Sequence, residues 1–230
     1  ELADPRPDEV LVRVAASGMC ATDLHGRDGY YDTPYPCVFG HEGAGVVEAV
    51  GEGVRDVSVG DHVVTLFSPQ CRECEHCRDP RTNLCTAIRE QQGLGFLPDG
   101  TTRLSRDGEP IRHFMGCSTF AEYTVMPEIA LAKVSPEAPL DRAALFACGL
   151  STGLGAAMNT ARVEPGSTCV VFGAGMVGLG AVAGCRLQGA ERIVCVDLSE
   201  DRLELARGQG ATDVLVGGTD GIERVLALVG

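Results

Sequence analysis

Cysteines stand at positions 71, 74, 77 and 85, separated by two, two and seven residues. Short Cys-x-x-Cys repeats let a tight loop aim several sulfurs at one point, and four thiolates satisfy the tetrahedral preference of Zn²⁺. A site closed by four sulfurs has no open coordination position. Cys71, Cys74, Cys77 and Cys85 are therefore expected to hold a structural zinc that braces a lobe and does no chemistry. His76 lies inside this stretch and is read as solvated, because the thiolates already fill the site.

A second chemical motif is Gly173-Ala-Gly175-Met-Val-Gly178, a G-x-G-x-x-G run that follows a predicted strand and opens a predicted helix. In that context the pattern is a dinucleotide cradle. Gly173 permits the tight turn, Gly175 lets the backbone approach a pyrophosphate, and Gly178 allows close packing of helix on strand. The helix N-terminus offers free N–H groups to the phosphates. Asp197 ends the next predicted strand, 19 residues beyond Gly178. A carboxylate there accepts hydrogen bonds from ribose hydroxyls and repels a 2′-phosphate, which favours NAD over NADP.

The elements that position these groups change character along the chain. Glu9–Val14, Glu42–Val50, Asp61–Phe67, Phe120–Val125 and Leu131–Val134 read as strands, separated by turn residues at 51–53, 58–61, 98–100 and 106–110. This half is expected to be a barrel-like β domain. Residues 140–160 are apolar at helical spacing and predict one helix. Thereafter strands at 168–172, 192–197 and 213–216 alternate with helices at 175–187, 200–209 and 221–229, which implies a parallel sheet. The fold class is α/β, with domains over 1–149 and 150–230. The alternation covers about half of a two-part Rossmann domain, so the chain is expected to be a fragment of a longer protein.

Composition narrows the function. A formal charge of −13 argues against a nucleic-acid or anionic membrane surface. No apolar run approaches the roughly 20 residues of a membrane helix. Eleven cysteines, an odd number, in a chain of 230 residues do not fit a small disulfide scaffold, and a reducing cytoplasm is expected.

Gly40-His41-Glu42-Gly43-Ala-Gly45-Val-Val-Glu-Ala-Val-Gly-Glu-Gly-Val54 resembles the zinc signature of medium-chain alcohol dehydrogenases. The four-cysteine lobe, the segments around Cys20 and Cys148, and Gly173–Gly178 follow in that family's order. The segments at 101–125 and 148–168 look most like the classical zinc enzymes and their glutathione-dependent formaldehyde dehydrogenase branch. The resemblance implies a GroES-like β-barrel catalytic domain followed by the first half of a Rossmann domain. It implies two zinc ions per chain and NAD as cofactor. Cys20, His41 and Cys148 would hold the second, catalytic zinc, with a fourth position open for an alcohol. Thr22 and His25 would relay the alcohol proton, Asp23 would orient the His41 ring, and Glu42 would support the metal site. Arg202 and Thr152 would join Gly173, Gly175, Gly178 and Asp197 in holding the cofactor.

The expected reaction is hydride transfer between an alcohol and NAD, giving an aldehyde or ketone. Ala21 departs from the pattern, standing where many relatives carry an arginine or histidine that touches the pyrophosphate. Arg89 matches an arginine that binds the glutathione carboxylate in the formaldehyde dehydrogenase branch, so S-(hydroxymethyl)glutathione is the alternative substrate. A zinc-stabilised dinucleotide-binding protein without dehydrogenase activity is the alternative of another class. A small-molecule alcohol or aldehyde partner and a homo-oligomeric full-length protein complete the expectation.

Overall fold

The structure is a computed structural model that describes residues 1–79 and 84–230. The chain divides into two compact units, Glu1–Cys148 and Gly149–Gly230.

The first unit carries its strands in two sheets. Five strands run in the order β7-β1-β3-β4-β8, where β1 is Glu9–Gly18, β3 Glu42–Val50, β4 His62–Thr65, β7 Tyr123–Pro127 and β8 Leu131–Lys133. All of their pairings are antiparallel. Val10, Val12, Val47, Val57 and Val63 form the core beneath them. Because side chains alternate across a strand, Val10 and Val12 fall on one face of β1 and supply that core together. Gly45 sits where an added Cβ would lie 2.3 Å from the Arg13 carbonyl oxygen, so β1 and β3 approach closely only because the residue is glycine.

A smaller sheet contains β2 (Cys37–Val38), β5 (Leu104–Arg106) and β6 (Glu109–His113) in the order β2-β6-β5. Residues 106–110, expected as a turn, include the facing ends of two strands. The connection is Asp107-Gly108, with φ of 54° and 81°. Both residues in the left-handed region define the tight hairpin turn that an Asp-Gly pair favours.

Three short helices also went unread: α1 (Ala21–Arg27), α2 (Glu75–Arg78) and α3 (Thr86–Gly93). The single helix expected over 140–160 is broken. α4 spans Leu140–Ala143, a 3₁₀ turn follows through Ala147, and Cys148 has φ −145° and ψ −83°, outside helical geometry. Helical structure resumes in the second unit with α5 (Gly149–Gly155) and a π-helical turn. Ala143, Ala144 and Ala147 pack on Ala44 and Val64. Their small side chains let this segment press onto β3 and β4, which brings Cys148 to the sheet.

The second unit is a parallel sheet in the order β11-β10-β9, with β9 Thr168–Phe172, β10 Arg192–Asp197 and β11 Asp213–Val216. α6 (Met176–Leu187), α7 (Glu200–Gln209) and α8 (Gly221–Val229) follow the strands in turn. Ile193 and Cys195 pack with Val182, Cys185, Leu203 and Ala206 from α6 and α7. Val194 and Val196 pack with Val225 from α8. The strict alternation along β10 therefore covers both faces of the sheet, as a doubly wound fold requires.

A buried ionic node fastens the first unit. Arg103 is almost fully buried and donates Nε to Glu9 at 2.7 Å and Nη2 to Glu9 at 2.5 Å and to Asp99 at 2.6 Å. Its Nη1 donates to Thr101 Oγ1 and the Thr102 carbonyl, so all five N–H donors are satisfied. Beside it, buried His113 accepts the Arg103 backbone N–H at Nε2. Burial, and then the Arg103 charge, push the His113 pKa down to about 4. The folded protein thus favours neutral His113. Its contribution to stability is complete above the ordinary histidine pKa near 6.5 and is lost as pH falls from there toward about 4. Urea midpoints measured from pH 7.5 to 4.5 should fall across this window, by the equivalent of a few kcal/mol. In His113→Gln the part of that slope between pH 6.5 and 5 should disappear.

Candidate metal and cofactor sites

The four sulfurs of Cys71, Cys74, Cys77 and Cys85 lie within 4.8 Å of one another. Cys71 Sγ is 3.9 Å from Cys77 Sγ, and Cys74 Sγ is 4.0 Å from Cys85 Sγ. A tetrahedron with metal–sulfur bonds of about 2.3 Å has edges of about 3.8 Å. The sulfurs are thus spaced for a shared tetrahedral ion and are too far apart for disulfides. The Cys74 backbone N–H donates to Cys71 Sγ at 3.3 Å. The protons are distributed unequally: Cys74 is drawn down to about 6, first by a backbone N–H at Cys77, while burial pushes Cys77 up to about 12. Four adjacent thiols cannot all ionise without a cation among them. Distances and charge both fit zinc. His76 is not part of the cluster.

The second cluster gathers Cys20, His41, Glu42 and Cys148, whose ligand atoms also lie within 4.8 Å of one another. Cys20 is the N-cap of α1, with extended φ −90° and ψ 154°. Asp23, three residues on, accepts the Cys20 backbone N–H at Oδ2 (3.0 Å), closing one half of a capping box. The other oxygen of Asp23 accepts Gly40 N–H at 3.0 Å and faces His41 Nδ1 at 3.3 Å. Asp23 and His41 are both nearly inaccessible. With an ionised carboxylate against it, Nδ1 carries the ring proton and leaves the Nε2 lone pair for a metal.

The His41 ring is walled by Phe67, edge-on at 5.5 Å, and by Phe114 at 5.9 Å. Its carbonyl accepts the Thr65 hydroxyl at 3.0 Å, and the same hydroxyl accepts Gly43 N–H. Gly40 turns the chain into the ligand with φ +92°, and a Cβ there would lie 2.6 Å from the Phe120 backbone nitrogen. Only glycine meets both conditions.

The charges crowd in the same way as in the lobe. A hydrogen bond from Cys148, then one from His41, pull the Cys20 thiol down to about 3. Cys20, burial and Glu42 together drive the Cys148 thiol far upward. Burial alone would lower His41, but hydrogen bonds and charge from Asp23 and Cys20 outweigh it and raise the imidazole to about 9. Burial also opposes ionisation of Asp23, yet His41 and two backbone N–H groups hold its carboxyl below the usual range. Cys20 and Glu42 oppose the ionisation of Cys148 beside them, and this crowding of anionic donors around one point fits a dication.

Thr22 Oγ1 lies 3.5 Å from Cys20 Sγ, so the expected relay hydroxyl is beside the cluster. His25 lies outside it. It is exposed one turn further along α1, with its ring 5.2 Å from Tyr30 and 5.8 Å from Tyr31. Glu42, expected to support the metal site, has its carboxylate among the converging groups. Arg89 is exposed on α3. Thr65, whose hydroxyl ties the His41 carbonyl to Gly43 N–H, carried no motif.

In the second unit a cleft of about 580 Å³ is lined by Phe172, Gly173, Asp197, Leu198, Arg202 and Ile222, among others. Gly173 has φ +92°, and nothing stands within 4 Å of a Cβ added at Gly175, which leaves room for a ligand to approach its backbone. A Cβ on Gly178 would meet the Gly173 carbonyl oxygen at 1.7 Å, so the third glycine is required for helix α6 to seat. Asp197 accepts Ala174 N–H at 2.6 Å and Ser199 N–H at 2.8 Å. These bonds, Ala174 first, lower its pKa and keep it anionic, with lone pairs left for a ligand. Thr152 is exposed on α5 and does not line this cleft.

The family model of the alcohol dehydrogenase GroES-like domain matches residues 6–136. The chain belongs to this family. Its similarity extends beyond that domain. Alcohol dehydrogenase class-3 of Myxine glutinosa is 52% identical over 94% of the chain and 58% of the relative. S-(hydroxymethyl)glutathione dehydrogenase of Escherichia coli O1:K1 is 51% identical, with the same shares. The chain thus spans a little under three-fifths of these relatives' length. Among solved structures, an alcohol dehydrogenase zinc-binding domain protein from Burkholderia ambifaria superposes with a TM-score of 0.91 at 42% identity, over 99% of this chain and 62% of that one. Benzyl alcohol dehydrogenase from Acinetobacter calcoaceticus gives 0.90 at 37% identity, with the same coverage.

Replacing Asp23 by Asn should leave the fold intact but weaken zinc retention at the second cluster about 10- to 100-fold, because both Cys20 and His41 lose their common anchor. Competition with a chromophoric chelator, read against the lobe zinc, measures this.

Proposed function

We propose that the whole protein is a zinc- and NAD-dependent alcohol dehydrogenase that interconverts an alcohol with its aldehyde or ketone. The observation that carries this reading is the convergence of Cys20, His41 and Cys148 on one point, in a chain of the alcohol dehydrogenase family. When bound, zinc supplies Lewis-acid polarisation of the substrate oxygen, and NAD supplies the hydride-accepting ring.

The remaining chemistry falls to the chain. Cys20, His41 and Cys148 are three donors that would leave a tetrahedral ion open on one side. Asp23 fixes the tautomer and orientation of His41. The Thr22 hydroxyl, beside Cys20, would take the substrate proton. His25, three residues further along α1, shares a helix face with Thr22 and has its ring in solvent, where a proton can leave. Gly173, Gly175 and Gly178 would cradle the pyrophosphate. Asp197 would accept the adenosine ribose hydroxyls, with Arg202 beside it in the cleft. Cys71, Cys74, Cys77 and Cys85 would hold the bracing zinc.

A second reading, S-(hydroxymethyl)glutathione oxidation, is favoured by a specific finding. The relatives at 51–52% identity include one of that name, whereas benzyl alcohol dehydrogenase stands at 37%. Exposed Arg89 would then meet a glutathione carboxylate. All eleven cysteines are free, which supports a reducing, cytoplasmic setting. No helix among the described residues is long and apolar enough to cross a membrane.

Elemental analysis of the full-length protein should give two zinc ions per chain; one would favour a dinucleotide-binding protein without dehydrogenase activity. An NADH-forming panel of alcohols and S-(hydroxymethyl)glutathione ranks the substrates. If the thiol adduct leads, Arg89→Ala should raise its KM about 10-fold or more and leave simple alcohols unchanged. His25→Gln should lower kcat at least about 10-fold, while Asp197→Ala should shift preference from NAD toward NADP.

A further inference from the structure

We propose that Gly18 is a positioning residue whose missing side chain admits the Glu42 carboxylate to the Cys20–His41–Cys148 cluster. The inference rests on the reading of that cluster as a zinc site.

Gly18 is the last residue of β1 and pairs directly with Glu42, the first residue of β3. A Cβ built on Gly18 would stand 2.3 Å from Glu42 Oε2 and 3.2 Å from Glu42 Cβ. Carbon–oxygen contacts normally open at about 3.3 Å, so a single methyl overlaps the carboxylate by about 1 Å. The Glu42 side chain therefore lies folded over the Gly18 backbone, in the volume that any other residue would fill. Its φ lies outside the left-handed region, unlike that of Gly40. Alanine at 18 thus conflicts with the Glu42 side chain and with nothing in the backbone.

The direction of that fold matters. Glu42 is almost fully buried, and its carboxylate lies within 4.8 Å of the Cys20, His41 and Cys148 donor atoms. An anion at that range strengthens the hold on a dication, and does so more in a buried site than in water. A methyl at 18 displaces the carboxylate from this position against the cluster, because the strand pairing keeps the Glu42 backbone opposite residue 18. Gly18 makes no contact with a ligand itself; it acts through Glu42.

The experiment uses full-length, zinc-loaded protein as wild type, Gly18→Ala, Glu42→Ala and the double variant. Zinc is titrated out with a chromophoric chelator, and the cobalt(II)-substituted forms are compared by their visible spectra. Gly18→Ala and Glu42→Ala should each release the cluster zinc at about 10-fold lower chelator concentration and show the same altered cobalt spectrum, with the lobe zinc retained. The double variant should be no worse than Glu42→Ala, since both changes act through one carboxylate. Wild-type retention in Gly18→Ala, or a full additional loss in the double, overturns the proposal. A wild type that holds only the lobe zinc overturns the metal-site reading beneath it. Should Gly18→Ala fail to fold, a folded double variant supports the proposal, because the methyl then has room; a double that also fails overturns it.

Discussion

One buried carboxylate organises the first unit. Asp23 accepts Cys20 N–H with one oxygen and faces Gly40 N–H and His41 Nδ1 with the other. It thereby joins the start of α1 to the turn that enters β3, two segments that would otherwise carry their ligands independently. Burial works against its charge, and the hydrogen bonds have to overcome that cost before any ligand is aligned. Cys148 reaches the same point by apolar means, through alanines packed on Ala44 and Val64. Polar anchoring from one side and close packing from the other meet at one cluster.

The second unit uses a carboxylate in the same way. Asp197 ends β10 and accepts N–H groups from Ala174, inside the glycine loop, and from Ser199, at the N-cap of α7. In both units an acid read as a functional group also ties neighbouring backbone in place. Changing either residue therefore moves geometry as well as charge, so their roles separate only through measurements that respond to one of the two.

Local signals were legible and long-range consequences were not. The Cys-x-x-Cys lobe and the G-x-G-x-x-G turn show themselves because their donors or amides are neighbours in the chain. The β10 and α7 limits were readable because β-branched alternation and a serine cap are properties of single elements. The break at Cys148 was invisible, since residues 140–160 keep a helical apolar period through a point where tertiary contacts impose φ −145°. The Asp107-Gly108 hairpin was half read: the turn was seen, but strands of three and five residues carry too little pattern. Glu42 was legible as a support of the metal site, but nothing in the motif says that Gly18 lies opposite it. Gly173, Asp197 and Arg202, far apart in the chain, meet in one cleft, which Thr152 does not line.

The spacing of the two donor sets also fixes the order in which they can assemble. The lobe sulfurs are all drawn from fifteen consecutive residues, whereas Cys20, His41 and Cys148 stand 21 and 107 residues apart. Closing a short loop loses less chain entropy than closing a long one, and long-range contacts wait on the rest of the topology. The lobe can therefore capture an ion while most of the chain is still unfolded. The scattered set comes together only after β1, β3 and the alanine-lined segment have docked. The scattered donors thus depend on long-range docking that the lobe donors do not need.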